Sequence, residues 1–357
     1  MKNFFGMKVA IFAVGMAGSG LAGAQSSVTL YGVLDAGLLY TSKTSSQSNA
    51  QNMGRQFSLV SSGSSPSRFG LTGVEDVGGG MKVEFRLESG ISVANGGLGN
   101  SNGNLFGRQA WVGLDSHYGV VTAGLQFSPL FLALRDTDPR GFSQFGSGLV
   151  TYIGNVAGTS IFNSNGISYT SPKVAGLEGR AMLALGGAPG NFQAGRQYSL
   201  SLKYENGNFL INSALYDGNS GGTVQTAIPT TLAFEGRTIG VSYKFGNITA
   251  KTAFVNYKVA GSFNNNVYSG GLDFIVTPQV DLNGGVWVTS DRDHTANHSI
   301  MGALGAQYFL SKRTNFYTQV GVVENHGALN TGLLVNSALP GAKGATVGVD
   351  LGIRHSF

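Results

Sequence analysis

The chain contains no cysteine in 357 residues, so neither disulfides nor thiolate metal centres contribute to it. After the first two dozen residues, no stretch approaches the roughly 20 apolar residues that a membrane helix needs. Only 11% of residues are charged, and no run of like charge or basic helix suggests a nucleic-acid partner. The five histidines combine with no Ser/Asp pattern that would name a hydrolase, which needs nucleophile, base and orienter together. His294 and His298 share one long loop with Asp291 and Asp293; a solvated loop accounts for them, and no metal or cofactor site is expected. Gly99-Asn-Ser-Asn-Gly103 has no following helix, so it is not a phosphate cradle.

What is present begins with an address. Lys2 and Lys8 precede a short apolar run, 9–21, and Ala22-Gly23-Ala24 is an A-x-A cleavage site. Residues 1–24 therefore read as a secretory signal peptide, with the mature chain, 25–357, beginning at Gln25. Without Lys2 and Lys8, 21 basic residues stand against 18 acidic ones.

The mature sequence repeats one unit: about ten residues of alternating apolar and small or polar side chains, then a turn. In the stretch 81–89, Met81, Val83, Phe85 and Leu87 occupy one face, and Lys82, Glu84, Arg86 and Glu88 the other. A sheet apolar on one face and polar on the other, closed on itself, is how strands cross a bilayer. The mean hydropathy of +0.06 fits this, because lipid-facing and water-facing residues cancel. Sixteen such strands are read, at 28–40, 67–75, 81–89, 104–115, 119–127, 166–171, 177–185, 197–205, 209–217, 236–245, 248–258, 267–277, 281–291, 299–310, 314–325 and 346–357. Their connections alternate between tight turns, such as Gly246-Asn247, and long glycine-rich loops, as in outer-membrane barrels. The expected fold is an all-β, sixteen-stranded antiparallel transmembrane barrel, in the size class that leaves an aqueous channel.

One stretch, 128–164, breaks the rhythm. It is fairly apolar, and it carries Arg135, Asp136, Asp138 and Arg140. Connections this long are usually functional, and the reading is a third loop that folds into the lumen and narrows it. Trp111 and Trp287 fall on inward faces without an evident reason.

At this point the residues resemble the general, non-specific porins of beta-proteobacterial outer membranes. The likeness is carried by Ser27-Val-Thr-Leu-Tyr-Gly-Val-Leu-Asp-Ala, Ser67-Arg-Phe-Gly-Leu-Thr-Gly-Val-Glu-Asp-Val, Leu105-Phe-Gly-Arg-Gln-Ala-Trp-Val-Gly-Leu and Gly352-Ile-Arg-His-Ser-Phe357. It implies a homotrimer in the bacterial outer membrane, among lipid and lipopolysaccharide, passing small hydrophilic solutes and ions by diffusion. It also implies that Phe357 is read by the barrel-assembly machinery. By resemblance, Arg68, Glu88 and Arg108 belong to the constriction, with Asp136 and Asp138 of the third loop opposite. Arg86 shares their wall, and Arg135 and Arg140 share the loop. Strict alternation with Ala110, Val112 and Leu114 would instead aim Arg108 at lipid. The sequence departs from the family at Gly124-Leu125-Gln126, where members often have Gly-Arg-Gln, and at Phe162, where many have arginine; both remove positive charge. The inward charges read by alternation are Arg68, Arg86, Arg180, Lys203, Lys244, Lys251 and Arg354 against Asp35, Glu84, Glu88, Asp273 and Asp350, which implies weak anion preference. A substrate-specific channel or a barrel adhesin is the alternative.

Overall fold

Alternation along the strands fixes which side chains face lipid and which face the lumen, and the computed structural model follows it around a closed ring. The structure describes residues 27–46, 51–156, 161–223, 232–336 and 338–357; the signal-peptide reading lies outside them. The chain forms, in order, β1 (Ser27–Thr41), β2 (Gln56–Ser61), β3 (Arg68–Gly78), β4 (Met81–Gly90), β5 (Gln109–Ser116) and β6 (Gly119–Phe127). Two helices follow, α1 (Pro129–Thr137) and α2 (Gly148–Asn155). Next come β7 (Phe162–Thr170), β8 (Leu177–Ala184), β9 (Gln197–Asn206), β10 (Phe209–Gly218), β11 (Phe234–Phe245), β12 (Ile248–Val259), β13 (Phe263–Thr277), β14 (Val280–Asp291), β15 (His298–Phe309) and β16 (Thr314–His326). The small hairpin β17 (Thr331–Leu334) and β18 (Ala338–Pro340) precedes β19 (Gly344–Ser356).

Each barrel strand pairs antiparallel with its neighbours, and β1 closes the ring against β19, with Asp35 opposite Arg354 and Leu38 opposite Leu351. At the seam Gly32 and Phe357 exchange both backbone hydrogen bonds, each at 3.1 Å. The first half of β1 pairs with β3 and the second half with β2. These two segments are thus one barrel strand interrupted at 62–67, and the barrel has sixteen strands. The segment β2 was not among the sequence readings, and β5 begins at Gln109 rather than 104. No helix among the described residues is long and apolar enough to span a membrane; the strands do so.

The largest departure from expectation is inside the 128–164 stretch, whose described residues include two helices. Ser128 accepts a hydrogen bond from the Phe131 amide at 3.2 Å, and Pro129 follows it, so α1 opens on a side-chain cap with proline in its first turn. Ser147 caps α2 in the same way, through the Leu149 amide at 3.0 Å.

The apolar core lies between this loop and the barrel's inner wall. Along the inward face of β11 the side chains at 236 and 240 are glycine, which leaves a trough for α1. A Cβ on Gly236 would lie 2.5 Å from Leu130 Cδ2, and one on Gly240 would lie 2.5 Å from Thr137 Oγ1. Such a close approach is a role only glycine fills. Leu130 is fully buried there, which contributes roughly 1.5–3 kcal/mol. Asn212 of β10 donates to the Ala133 carbonyl at 2.9 Å. Past α1, Pro139 rests on the glycines of β13 and β14, within 2.8 Å of where a Cβ of Gly271 or Gly285 would be. Trp287 is 1% exposed and packs beneath Gly148 and Gly285, so the inward tryptophan supports the loop.

Arg140 then fastens the loop to the far wall. Its Nε donates to Asn283 Oδ1 (2.9 Å), Nη2 to Gln319 Oε1 (2.6 Å), and Nη1 to the carbonyls of Phe145 (2.7 Å) and Gly146 (2.9 Å). Burial lowers its pKa to about 10, so it remains cationic at neutral pH. Beyond it, the Gln144 amide reaches the Ser64 carbonyl. The loop therefore runs along the wall from β9 round to β16 and 64, and leaves the lumen open against β3 to β6.

Replacing Arg140 with alanine takes the donor from the buried Phe145 and Gly146 carbonyls of the loop, at roughly 1–3 kcal/mol each, and cuts the loop's bond to Asn283, while Gln319 Oε1 keeps Ser143 Oγ at 2.8 Å. In planar bilayers Arg140→Ala should show larger and noisier single-channel conductance, while the heat stability of the barrel on gels stays near wild type. Unchanged conductance and noise would contradict the clamp.

Candidate functional site: the lumenal constriction

The open side of the lumen is built on the inward faces of β3, β4 and β5. Arg68 begins β3 and Glu88 lies near the end of β4. Glu88 pairs with Gly70 and Arg68 with Gly90, so the two charges are diagonal neighbours across the ladder. A bulge between Asp76 and Gly78 sets that offset. Arg68 Nε lies 3.4 Å from Glu88 Oε2, and Arg108 Nε lies 2.8 Å from Glu88 Oε1. Tyr31 of β1 donates to the same carboxylate at 2.9 Å, and Gln109 donates to it at 3.4 Å. Glu88 is thus shared by two guanidinium groups and two neutral donors, which holds the arginines in place without cancelling both.

Arg108 points inward. It precedes β5 by one residue, so the parity of Ala110, Val112 and Leu114 does not bind it. Its guanidinium carbon lies 5.0 Å from the Phe162 ring centroid. The phenylalanine in the family's arginine position therefore acts as a face for Arg108, an attraction of about 0.5–2 kcal/mol. Arg86 lies 5.8 Å from both the Tyr31 and Trp111 ring centroids, which gives the inward Trp111 its place.

Across the gap stands the loop, but not with the carboxylates expected of it. Arg135, in the last turn of α1, is exposed to the lumen. Asp136 turns to the wall, 3.6 Å from Lys203 Nζ on β9. Asp138 is 3% exposed and accepts from the amides of Arg140 (2.9 Å), Phe142 (3.0 Å) and Gly148 (2.7 Å). Burial raises its pKa against the pull of those three donors. Neither aspartate faces Arg68: Asp136 is spent on the wall and Asp138 on folding the loop. The resulting cavity, about 570 Å³, is lined by Arg68, Arg86, Arg108, Arg135, Arg140, Lys251 and Arg354 against Glu88, Asp273 and Asp281. Lys251 also donates to the Asp138 carbonyl at 3.2 Å.

Two inward acids of the alternation have no part in this. Asp35 and Asp350 are 0% exposed. Asp35 accepts from the amides of Gly63, Ser64 and Ser65 and from Tyr317 Oη at 2.7 Å, and Asp350 accepts from Gln319 at 3.1 Å. Sequence reasoning missed Gln109 and Asp281 as lining groups, and Tyr31 as a donor to Glu88. Asp281 was within reach, since it shares the parity of Trp287 on β14.

An antiparallel barrel, apolar outside, with a loop packed on its inner wall and a charged gap beside it, is an outer-membrane channel. The chain belongs to the Gram-negative porin family, whose profile matches residues 10–328. It is 31% identical to outer membrane porin protein 32 of Delftia acidovorans over 98% of this chain and all of that one. It is 29% identical to an outer membrane porin of Bordetella pertussis over 95% of this chain and 96% of that one. Among solved structures, an anion-selective porin from Comamonas acidovorans superposes with a TM-score of 0.80 at 27% identity, covering 93% of this chain and all of that one. The protein is thus a porin of the bacterial outer membrane, forming a water-filled channel.

Removing the shared carboxylate tests the wall. Glu88→Gln leaves Arg108 buried without a counter-charge, a change on the order of 3–5 kcal/mol. The folded band on a semi-native gel should melt at a lower temperature than wild type, whereas Glu84→Gln, on the same wall outside this cluster, should not shift it. Equal melting of Glu88→Gln and wild type would contradict the role given to Glu88.

Proposed function

We propose that the channel is a general diffusion porin with anion preference, and that Arg135 completes its constriction opposite Arg68, Arg86 and Arg108. The observation that carries this reading is the disposition of charge in the gap. Arginines stand on both sides, and the loop's aspartates are turned away. Charges beside a low-dielectric wall focus the field, so a few of them decide which ions enter. Glu88 offsets part of the wall's charge, and Asp273 and Asp281 sit beside Lys251, so the excess that an ion meets is positive. The likeness to a porin described as anion-selective supports the same sign. We read the chain as a channel rather than an enzyme.

The partners follow from the family and the outer surface. We propose a homotrimer in the outer membrane, joined through the face around β1 and β2. There Leu38 (63% exposed) and Phe57 (75% exposed) carry apolar surface to the long-loop rim. Phe357 continues the outward row of Val347, Leu351 and Ile353, consistent with a terminal signal for barrel assembly.

In a potassium chloride gradient the zero-current potential should carry the sign of anion preference. The preference should fade as the Debye length falls from about 30 Å at 0.01 M to about 3 Å at 1 M. Arg135→Glu combined with Arg68→Glu should reverse the sign. A potential unmoved by these changes would remove Arg135 and Arg68 from the constriction, and conductance saturated by one solute would replace general diffusion with a specific channel.

A further inference from the structure

The constriction has an apolar side as well as a charged one. A run of rings begins on the wall and ends in the loop. It starts where Arg108 faces the Phe162 ring at 5.0 Å. The Phe162 centroid lies 5.1 Å from Phe127, and Phe127 stacks on Phe131 at 4.5 Å with an interplanar angle of 7°. Phe131 then meets Phe142 edge-on at 5.4 Å. Stacked and edge-to-face pairs at these spacings suit the aromatic quadrupole. Three of the rings, Phe127, Phe131 and Phe142, line the same cavity of about 570 Å³ that the arginines line. Phe131 and Phe142 are each 7% exposed and back the surface, whereas Phe127 and Leu132 are only half-buried.

The loop is shaped to bring this apolar surface to the gap. Phe142 has a φ of 60°, a left-handed backbone that a bulky side chain rarely adopts. Its amide donates to Asp138 Oδ1 at 3.0 Å, so the carboxylate that folds the loop also holds this ring at the cavity. Outliers of this kind gather at functional sites. On α1, Leu132 and Arg135 stand three residues apart and share a face of the helix; both line the cavity. An apolar side chain and a cation are thus offered side by side. On the barrel wall, Arg86 Nε is buried without a hydrogen-bond partner. Arg68 and Arg108 share Glu88, but among the described residues neither Arg86 nor Arg135 stands within ion-pair distance of a carboxylate.

We propose that the constriction favours small aromatic carboxylates over aliphatic ones of the same charge. The inference rests on the anion preference argued above and names the class of anion that gains most from it. Arg86 or Arg135 receives the carboxylate, which the planar guanidinium fork matches. The ring lies along Phe127 and Leu132, with Phe131 and Phe142 behind them. Chloride and acetate have no ring to place there and gain from the charge alone. The contact enriches one class of solute at the narrow point of an open channel, so passage is still by diffusion.

Bi-ionic reversal potentials in planar bilayers test this, with potassium chloride facing potassium acetate, benzoate or cyclohexanecarboxylate at neutral pH. Benzoate is larger than acetate and diffuses more slowly, so a plain sieve passes it less readily. The wild-type porin should pass benzoate about threefold more readily than acetate, as one added aromatic contact allows, and more readily than cyclohexanecarboxylate. Phe127→Leu should bring the benzoate-to-acetate ratio below one. Leu132→Ser, on the lumenal face of α1, should do the same and serves should Phe127→Leu fail to insert. A wild-type ratio below one, with potassium chloride alone still reporting anion preference, would overturn this inference and leave the anion reading standing. Cation preference in potassium chloride would overturn both. A ratio kept in both variants, or equal passage of benzoate and cyclohexanecarboxylate, would also overturn it, since the rings would then have no part in the choice.

Discussion

The third loop lies flat against the inner wall because β11, β13 and β14 present glycine beneath it, as β15, β16 and β19 do at Gly305, Gly321 and Gly348, and the rest of the pore depends on that contact. The α1 helix needs the space over Gly236 and Gly240, and Pro139 needs the space over Gly271 and Gly285. With side chains at those positions the loop would be pushed into the channel. Close packing makes the arrangement discrete, since an interior at crystal-like density does not slide continuously. Arg140 adds direction to this fit. A planar donor bonded to four acceptors on three segments admits one orientation of the loop.

From that orientation follows the charge of the gap. Neighbouring residues on a helix point about 100° apart, so fixing α1 with Leu130 and Thr137 on the wall sends Asp136 toward Lys203 and Arg135 into the lumen. Asp138, at the helix's end, becomes the centre of a tight turn with three amide donors. The loop that seemed to bring carboxylates to the pore brings a guanidinium. On the opposite wall Glu88 keeps two arginines close together that would otherwise repel. Packing on one side and ion pairing on the other thus set which charges line the gap.

Much of the architecture is legible in the sequence, because a strand's two-residue period sorts lipid from lumen without reference to the rest of the chain. That is why the faces of β4, such as Met81 outward and Lys82 inward, and the count of sixteen needed no tertiary information. The β2 segment was hidden because its alternation, Gln56-Phe57-Ser58-Leu59, sits inside a long polar stretch. The α1 helix was legible and overlooked: Ser128-Pro129 is a helix start, and Leu130, Phe131 and Leu134 repeat with helical spacing. The direction of Asp136 and Asp138 was not legible, since it depends on which face of a nine-residue helix meets the wall. Arg108 stands one residue outside β5, where strand parity sets no direction, and its pairing with Glu88 turns it inward.

Because the chain has no native cysteine, one labelling experiment reaches the central claim directly. Cysteine placed singly at 135 and at 138 is exposed to a small anionic methanethiosulfonate reagent while current is recorded through the open channel. The account predicts rapid modification of Arg135→Cys with a shift of the reversal potential toward cations, and no modification of Asp138→Cys until the protein is unfolded. Labelling of Asp138→Cys as fast as Arg135→Cys would mean that the loop presents its acids to the pore, contrary to the arrangement described.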